Sequence, residues 1–210
     1  MSEKIKRSHL EAIPPESSSL NELSDNIPQE HIASPETQWL IDEMLSFANG
    51  LQGDKKRRTM VGLAAPQIGT NKRVIVVDVN NTGTGMEETT DLRVFLNPCI
   101  TKRSTKTEIG REGCFSASNV CGIVDRATEI TVEAVDRNGE VVKEDYKGFT
   151  ARIFQHEIDH LDGLRFPDRI NDDTRLHWVE PEQFGDYRER WRSWDILCRR
   201  EIWEAIKSGK

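Results

Sequence analysis

Six residues late in the chain, Gln155-His156-Glu157-Ile158-Asp159-His160, constrain it more than any other stretch. His156 and His160 are four apart, and on a helix that spacing stacks two imidazoles on one face, within reach of one cation. Glu157, next to the first histidine, can hold or deprotonate a water on that cation without ligating it. The pattern H-E-x-x-H therefore reads as two ligands plus a general base. On these letters alone, an amphipathic helix with two partly buried histidines is the competing reading.

A catalytic zinc-type site uses three protein ligands and keeps one position for water, so a third must come from elsewhere in the chain. Cys114, directly after glycine in Arg111-Glu112-Gly113-Cys114-Phe115-Ser116, is the best-placed candidate. Alone it would read as a small buried hydrophobe. Cys99 follows a proline at a strand end and Cys198 falls on a predicted helix, while Cys121 stays open on spacing. A second unusual run, Val61-Gly62-Leu63-Ala64-Ala65-Pro66-Gln67-Ile68-Gly69, is built of small residues that let a ligand or another backbone approach closely. Gln67 is its one polar side chain and could aim a donor into a site. A tight loop between helix and strand is the alternative.

The remaining chain sets the frame. With 210 residues, 36% hydrophobic and 31% charged, it suits one domain with a real core, or one domain with appendages. No apolar run approaches the ~18 residues of a membrane span. A net charge of −7 gives no electrostatic footprint for nucleic acid. Met1 to Arg7 lacks the apolar stretch of a secretory signal, and four cysteines do not make a disulfide framework in such a chain, so a cytoplasmic home is expected.

Residues 1–33 are polar, with Pro14-Pro15 and Ser17-Ser18-Ser19, and read as a poorly ordered or surface-wrapped arm. Ser34-Pro35-Glu36 starts a helix whose Trp39, Leu40, Met44 and Phe47 form a core-facing stripe, closed at Gly50. Gly53 to Arg58 is a charged loop. Arg73–Val79 and Val94–Pro98 are predicted strands, joined by a polar loop from Asn80 to Thr90. Ile130, Val132 and Ala134 alternate with polar neighbours, and Asn138-Gly139 marks the following hairpin, with a return strand from Glu140. The histidine helix runs from about Thr150 to Leu161, ended by Gly163. The catalytic unit is thus expected over residues 34–170. Residues 171–210 form an extension with one amphipathic helix carrying Trp191, Trp194, Cys198 and Ile202 on a stripe.

Gly62 to Gly69, Glu112 to Ser116 and Gln155 to Leu161, in this order, resemble the three signature motifs of the peptide deformylase family, over roughly residues 36–170. The resemblance implies an α+β fold, with antiparallel strands around a central helix carrying the histidines. It implies Cys114, His156 and His160 as ligands of one divalent metal, iron(II) foremost, with zinc, nickel or cobalt able to take the same site. Glu157 would be the base, while the Gln67 amide and the Phe115 N–H would stabilise an oxyanion. Val61, Gly62, Gly113, Phe149 and Ile153 would contact the substrate, an N-formyl-methionyl nascent peptide met at the ribosome. Four features depart from the family pattern: Met60 replaces a glycine, Phe115 a leucine and Ala117-Ser118-Asn119 a hydrophobic-Pro-Gly turn, and no Pro-Asp-Pro occurs in residues 1–35.

Two other functions compete. A metallopeptidase, or an amidohydrolase acting on another formylated or acylated amine, would keep the metal chemistry, although the cysteine and the Gln67 run argue against an ordinary peptidase. A binding protein with a structural metal would be marked by loss of Glu157, which is present. Arg152, early on the histidine helix, reads either as a peptide contact or as a solvated ion-pair partner.

Overall fold

The computed structural model describes residues 9–52, 55–56, 60–83 and 90–210. The first eight residues of the arm, most of the Gly53 to Arg58 loop and residues 84–89 of the loop after Asn80 lie outside the described residues.

Helix α1 (Pro35–Ala48) begins as its sequence dictates: the Ser34 side chain accepts the Thr37 N–H at 3.2 Å, with proline at the first helical position. Its buried stripe is Leu40, Ile41, Met44 and Phe47; Trp39, predicted to belong to it, is 53% exposed because Ile41 takes the inward position. A short hairpin, β1 (Leu51–Gln52) and β2 (Lys55–Lys56), leads to β3 (Gly62–Ala64), β4 (Val74–Asp78) and β5 (Leu92–Arg103). After β6 (Thr107–Gly113) and β7 (Val120–Ala127) come β8 (Glu129–Val135), β9 (Val141–Lys147) and helix α2 (Gly148–Leu161). The chain closes with β10 (Leu176–Trp178), α3 (Phe184–Arg190) and α4 (Arg200–Ser208). This is the α+β, antiparallel architecture expected from the sequence.

Two sheets enclose α2. One has the order β3-β4-β5-β8-β9 and the other β10-β7-β6, with every strand pair antiparallel. Period-two alternation makes β4 serve two cores. Ile75 and Val77 face α2 beside Ile153, Phe154 and Ile158, while Val74 and Val76 face Ile41, Met44 and Phe47 of α1. Phe154 is fully buried, with the Phe95 ring 4.9 Å away edge-on and the Tyr146 ring at 4.2 Å. A side chain so placed typically contributes ~3 kcal/mol or more to folding. α2 is therefore clamped along its apolar side, which fixes where its histidines point.

Two local predictions are revised, that of the strand from Val94 and that of the tail helix, and the setting of the arm is defined. The strand from Val94 does not end at Pro98; it continues to Arg103 through an irregular register between Leu96 and Cys99. Proline has no N–H to offer a ladder, and the break relieves the need for one. Asn97 there adopts φ 49°, and its side chain bonds both the N–H and the carbonyl of Ile27, each at 2.8 Å. The described part of the arm is fastened to the domain: His9 N–H donates to Glu43 Oε2 at 2.6 Å, Ile13 N–H donates to the Gln67 carbonyl, Leu20 is fully buried, and Ser24 N–H donates to the Leu161 carbonyl. The single tail helix is absent. Trp178 N–H donates to Ile196 and Cys198 N–H to Leu176, so the backbone of 196–198 borders β10 instead of coiling, and the helical turns lie on either side of it. Trp203, not Trp191 or Trp194, is the fully buried tryptophan.

Candidate active site

Strand β6 runs straight into Cys114, and pairing of Glu112 with Gly122 and Gly113 with Cys121 anchors that end. α2 presents His156 and His160 toward it. One donor atom from each of Cys114, His156 and His160 lies within 4.8 Å of the others, and the Cys114 Sγ is 3.5 Å from His160 Nε2. Cys121, the cysteine left open by spacing, is buried instead among Val179, Tyr187 and Trp191, and burial pushes its thiol up to about 12.

Gln67 reaches the same place from the small-residue run. Its Oε1 accepts the Ala64 N–H at 2.8 Å, which orients the amide, and Nε2 donates to Cys114 Sγ and Ser116 Oγ, each at 3.1 Å. Gly62 of β3 backs onto Glu157: a Cβ there would sit 2.8 Å from the Glu157 Cδ and from Ile153 Cγ2. Only glycine permits that approach. Burial pushes the Glu157 carboxyl up to about 7, against the pull of His156, and its Oε2 has no hydrogen-bond partner among the described residues.

Behind the histidines lies a buried ionic network. Glu112 accepts two bonds from Arg126, at 2.9 and 2.8 Å, one from Arg152 at 2.8 Å, and faces His156 Nδ1 at 2.9 Å. Burial would raise its carboxyl, but Arg126 and then His156 hold it well below the usual carboxylate range. Asp159 in turn takes Arg126 and Arg169, each at 2.6 Å. With Nδ1 committed to Glu112, His156 offers Nε2, and the carboxylate fixes the ring's orientation and tautomer. Arg152 is 9% exposed and also donates to the carbonyls of Val124 and Glu108, so it is neither of the two alternatives read from sequence.

The donor set fits a divalent metal. Among the described residues a thiol and two imidazoles converge without a fourth protein donor, one histidine is oriented by a carboxylate, and a buried carboxylate oxygen stands unpaired beside them. Residues 14–176 match the family model of polypeptide deformylase. The chain belongs to that family.

A peptide deformylase 1A of Solanum lycopersicum, described as chloroplastic, is 38% identical over 161 residues, which is 72% of this chain and 56% of that protein. A Pseudothermotoga lettingae deformylase is 39% identical over 137 residues, covering 62% of this chain and 74% of its own. The class I type b deformylase of Acinetobacter baumannii, solved with Met-Ala-Ser bound, superposes with a TM-score of 0.66 at 32% identity, over 77% of this chain and 98% of that one. Deformylases are metal-dependent hydrolases, and this one removes the N-formyl group from N-terminal formyl-methionine. The family match ends at Leu176; α3 and α4 lie beyond it. Among the described residues no helix is long and apolar enough to cross a membrane.

The site residues expected from the sequence fall into two groups. Cys114, His156, His160, Glu157, Gln67 and Gly62 converge, and Phe115 and Gly113 flank Cys114. Val61, Phe149 and Ile153, expected to form an apolar pocket, differ in their settings. Ile153 is core, Val61 is 39% exposed, and Phe149 lines a cleft shared with Gly110 and Arg152. Sequence reasoning missed Arg126, Asp159, Arg165 and Arg169. Asp159 sat inside the signature run, two residues before Leu161, and was the one available signal.

Proposed function

We propose that Cys114, His156 and His160 hold one divalent metal per chain, iron(II) in the native enzyme, with zinc, nickel and cobalt as substitutes. A thiolate with two imidazoles suits all four ions. When bound, such a metal polarises a carbonyl and lowers the pKa of a water it holds. The protein's own residues do the rest. Glu157 takes a proton from the attacking water and returns it to the departing amine. The Gln67 amide and the Phe115 N–H donate to the oxygen of the formyl group as it gains charge; loss of one such donor typically costs ~3 kcal/mol of transition-state stabilisation. Backbone at Gly62 and Gly113 holds the peptide as an added strand.

The observation that carries this reading is the buried Glu157 carboxylate, unpaired at Oε2, close under the Gly62 backbone and adjacent to His156 in sequence. Nascent formyl-methionyl peptides in the cytoplasm, at the ribosome, are the substrates. Release of formate from formyl-Met-Ala-Ser by anaerobically prepared iron(II) enzyme, beside Glu157→Ala, tests it. Turnover by the first and none by the second is expected. Turnover by Glu157→Ala at the wild-type rate would remove Glu157 from its role.

A further inference from the structure

The family match ends at residue 176, yet the chain beyond it holds the turn that follows Cys114. That turn, residues 115–119, carries the Phe115 N–H and the Ser116 hydroxyl. Val179 N–H donates to the Asn119 carbonyl at 2.9 Å, and Asn119 Nδ2 donates to Glu180 Oε2 at 2.8 Å. Ala117 is fully buried in one apolar cluster with Cys198 and Trp203, against which Cys114, Ile202 and Ile206 pack. Ser118 has φ 56°, a conformation that a serine keeps only where its surroundings impose it.

Through Ser116 this hold reaches Gln67. The Gln67 Nε2 has two N–H groups; one donates to Ser116 Oγ and the other is directed at Cys114 Sγ, each across 3.1 Å. Ala64 N–H holds Oε1 at 2.8 Å, so the Ser116 bond fixes the rotation that remains, and with it the N–H on the Cys114 side. Ser116 is fully buried, and its carbonyl accepts from Arg165 at 2.8 Å. The Arg165 guanidinium lies over the Trp203 ring of α4 at 4.5 Å and also donates to the Lys207 carbonyl. Asp168 Oδ1 accepts from Trp203 Nε1 at 3.0 Å and from Lys207 Nζ at 2.8 Å, which fastens α4 in turn. A line of contacts thus runs from Trp203 through Arg165 and Ser116 to the Gln67 amide, among buried groups whose hydrogen bonds are strengthened by the low local dielectric.

We propose that Ser116, Arg165 and Trp203 are positioning residues for Gln67: α4, acting through Arg165 and the Ser116 main chain, sets the direction of the amide N–H that donates to the formyl oxygen. This rests on the deformylase reading and on the place of Gln67 in it. It makes the tail outside the family match a working part of the site instead of an appendage. The reason is geometric. An oxyanion donor contributes only when it is already aimed at the place where charge develops, and Gln67 is aimed by groups that the signature runs do not all contain.

The test is a set of double-mutant cycles on formate release from formyl-Met-Ala-Ser, with rates taken per bound metal. Ser116→Ala, Arg165→Lys and Trp203→Leu are each measured alone and combined with Gln67→Ala. Gln67→Ala should lower kcat on the order of 10²-fold or more. Each positioning variant should lower kcat about tenfold at unchanged KM when Gln67 is present, and cause no further loss when it is absent. If Trp203→Leu does not fold, Trp203→Phe takes its place, since it keeps a ring under Arg165 and loses only the bond to Asp168; a smaller fall with the same dependence on Gln67 is expected. A role in stability alone would cost the same factor in both backgrounds. That result would overturn the proposal, as would wild-type kcat in Ser116→Ala or in both Arg165→Lys and the Trp203 variant. Wild-type kcat in Gln67→Ala is a separate failure: it removes Gln67 from the reaction and the proposal with it, while the formate released still upholds the deformylase reading. The Gln67 side-chain amide, identified by its absence in Gln67→Ala, gives a readout without turnover. In zinc-loaded enzyme its N–H signals should move upfield and exchange faster with solvent in Ser116→Ala and in the Trp203 variant, and unmoved signals in both would overturn the proposal as well.

Discussion

The guanidinium of Arg165 donates to the main-chain carbonyl of Ser116 across 2.8 Å, tying the turn that follows Cys114 to the far side of the domain. Arg165 is 1% exposed, and the same group donates to the carbonyls of Pro15 and Lys207 and to Asn21 Oδ1. The Trp203 ring lies 4.5 Å beneath it, and Asp168 fastens that tryptophan and Lys207 in place. One buried cation thus joins the arm, the Cys114 turn and α4.

Arg165→Met should therefore destabilise the protein by on the order of 3 kcal/mol, since buried carbonyls of three segments would lose their donor. Arg165→Lys should recover only part, because an ammonium cannot span the fork. Urea midpoints of the three proteins measure this. A midpoint unchanged in Arg165→Met would mean that the clasp contributes nothing.

Glu112 governs metal retention in the same indirect way. Glu112→Gln keeps the shape but removes the charge that Arg126, Arg152 and His156 Nδ1 all face. Metal affinity should fall about 10–100-fold, the usual effect of losing a carboxylate behind a ligating histidine. Competition against a chelator reads it directly, and equal retention by wild type and variant would refute the role.

His177 should make stability depend on pH. It is 1% exposed on β10 with Nδ1 3.0 Å from the Tyr187 hydroxyl, and burial lowers its pKa below 6.5. The folded state then favours the neutral ring, while the unfolded chain takes a proton near 6.5. The contribution is complete above about 6.5 and is lost as pH falls through the folded pKa, because there the unfolded state binds more protons. Urea midpoints from pH 8 to 5 should decline more steeply below about 6.5 for wild type than for His177→Asn. Parallel curves would assign the acid sensitivity to other groups.

What was legible beforehand was local. Ser34-Pro35 set the start of α1, alternation from Ile130 to Ala134 set β8, and Asn138-Gly139 set its turn to β9, with Gly139 at φ 87°. The three motifs named the site. Arg126 and Arg165 were not legible because the partners of each lie 14 to 150 positions away in the sequence. In the tail, Trp191, Trp194, Cys198 and Ile202 repeat at helical spacing, yet β10 offers an open edge and takes the backbone of 196–198. Periodicity reports which side chains could share a face; it does not report a competing edge.

Gly62 separates catalysis from stability most cleanly. A Cβ there falls on the Glu157 carboxylate and 2.8 Å from Ile153 Cγ2, and Ile153 is locked in the main core. Glu157 is the group left to move, and displacing a catalytic base by ~1 Å costs on the order of 10²-fold in rate. Gly62→Ala should accordingly lower kcat by about that factor while the metal stays bound, since the ligands themselves do not touch Gly62 in this way. Gly185 is the control. It lies within α3, a methyl placed on it would meet nothing within 4 Å, and its φ is not left-handed. Gly185→Ala should therefore leave kcat unchanged and raise stability by about 0.5 kcal/mol. Retention of wild-type kcat by Gly62→Ala would show that the close approach of β3 to Glu157 has no bearing on the reaction.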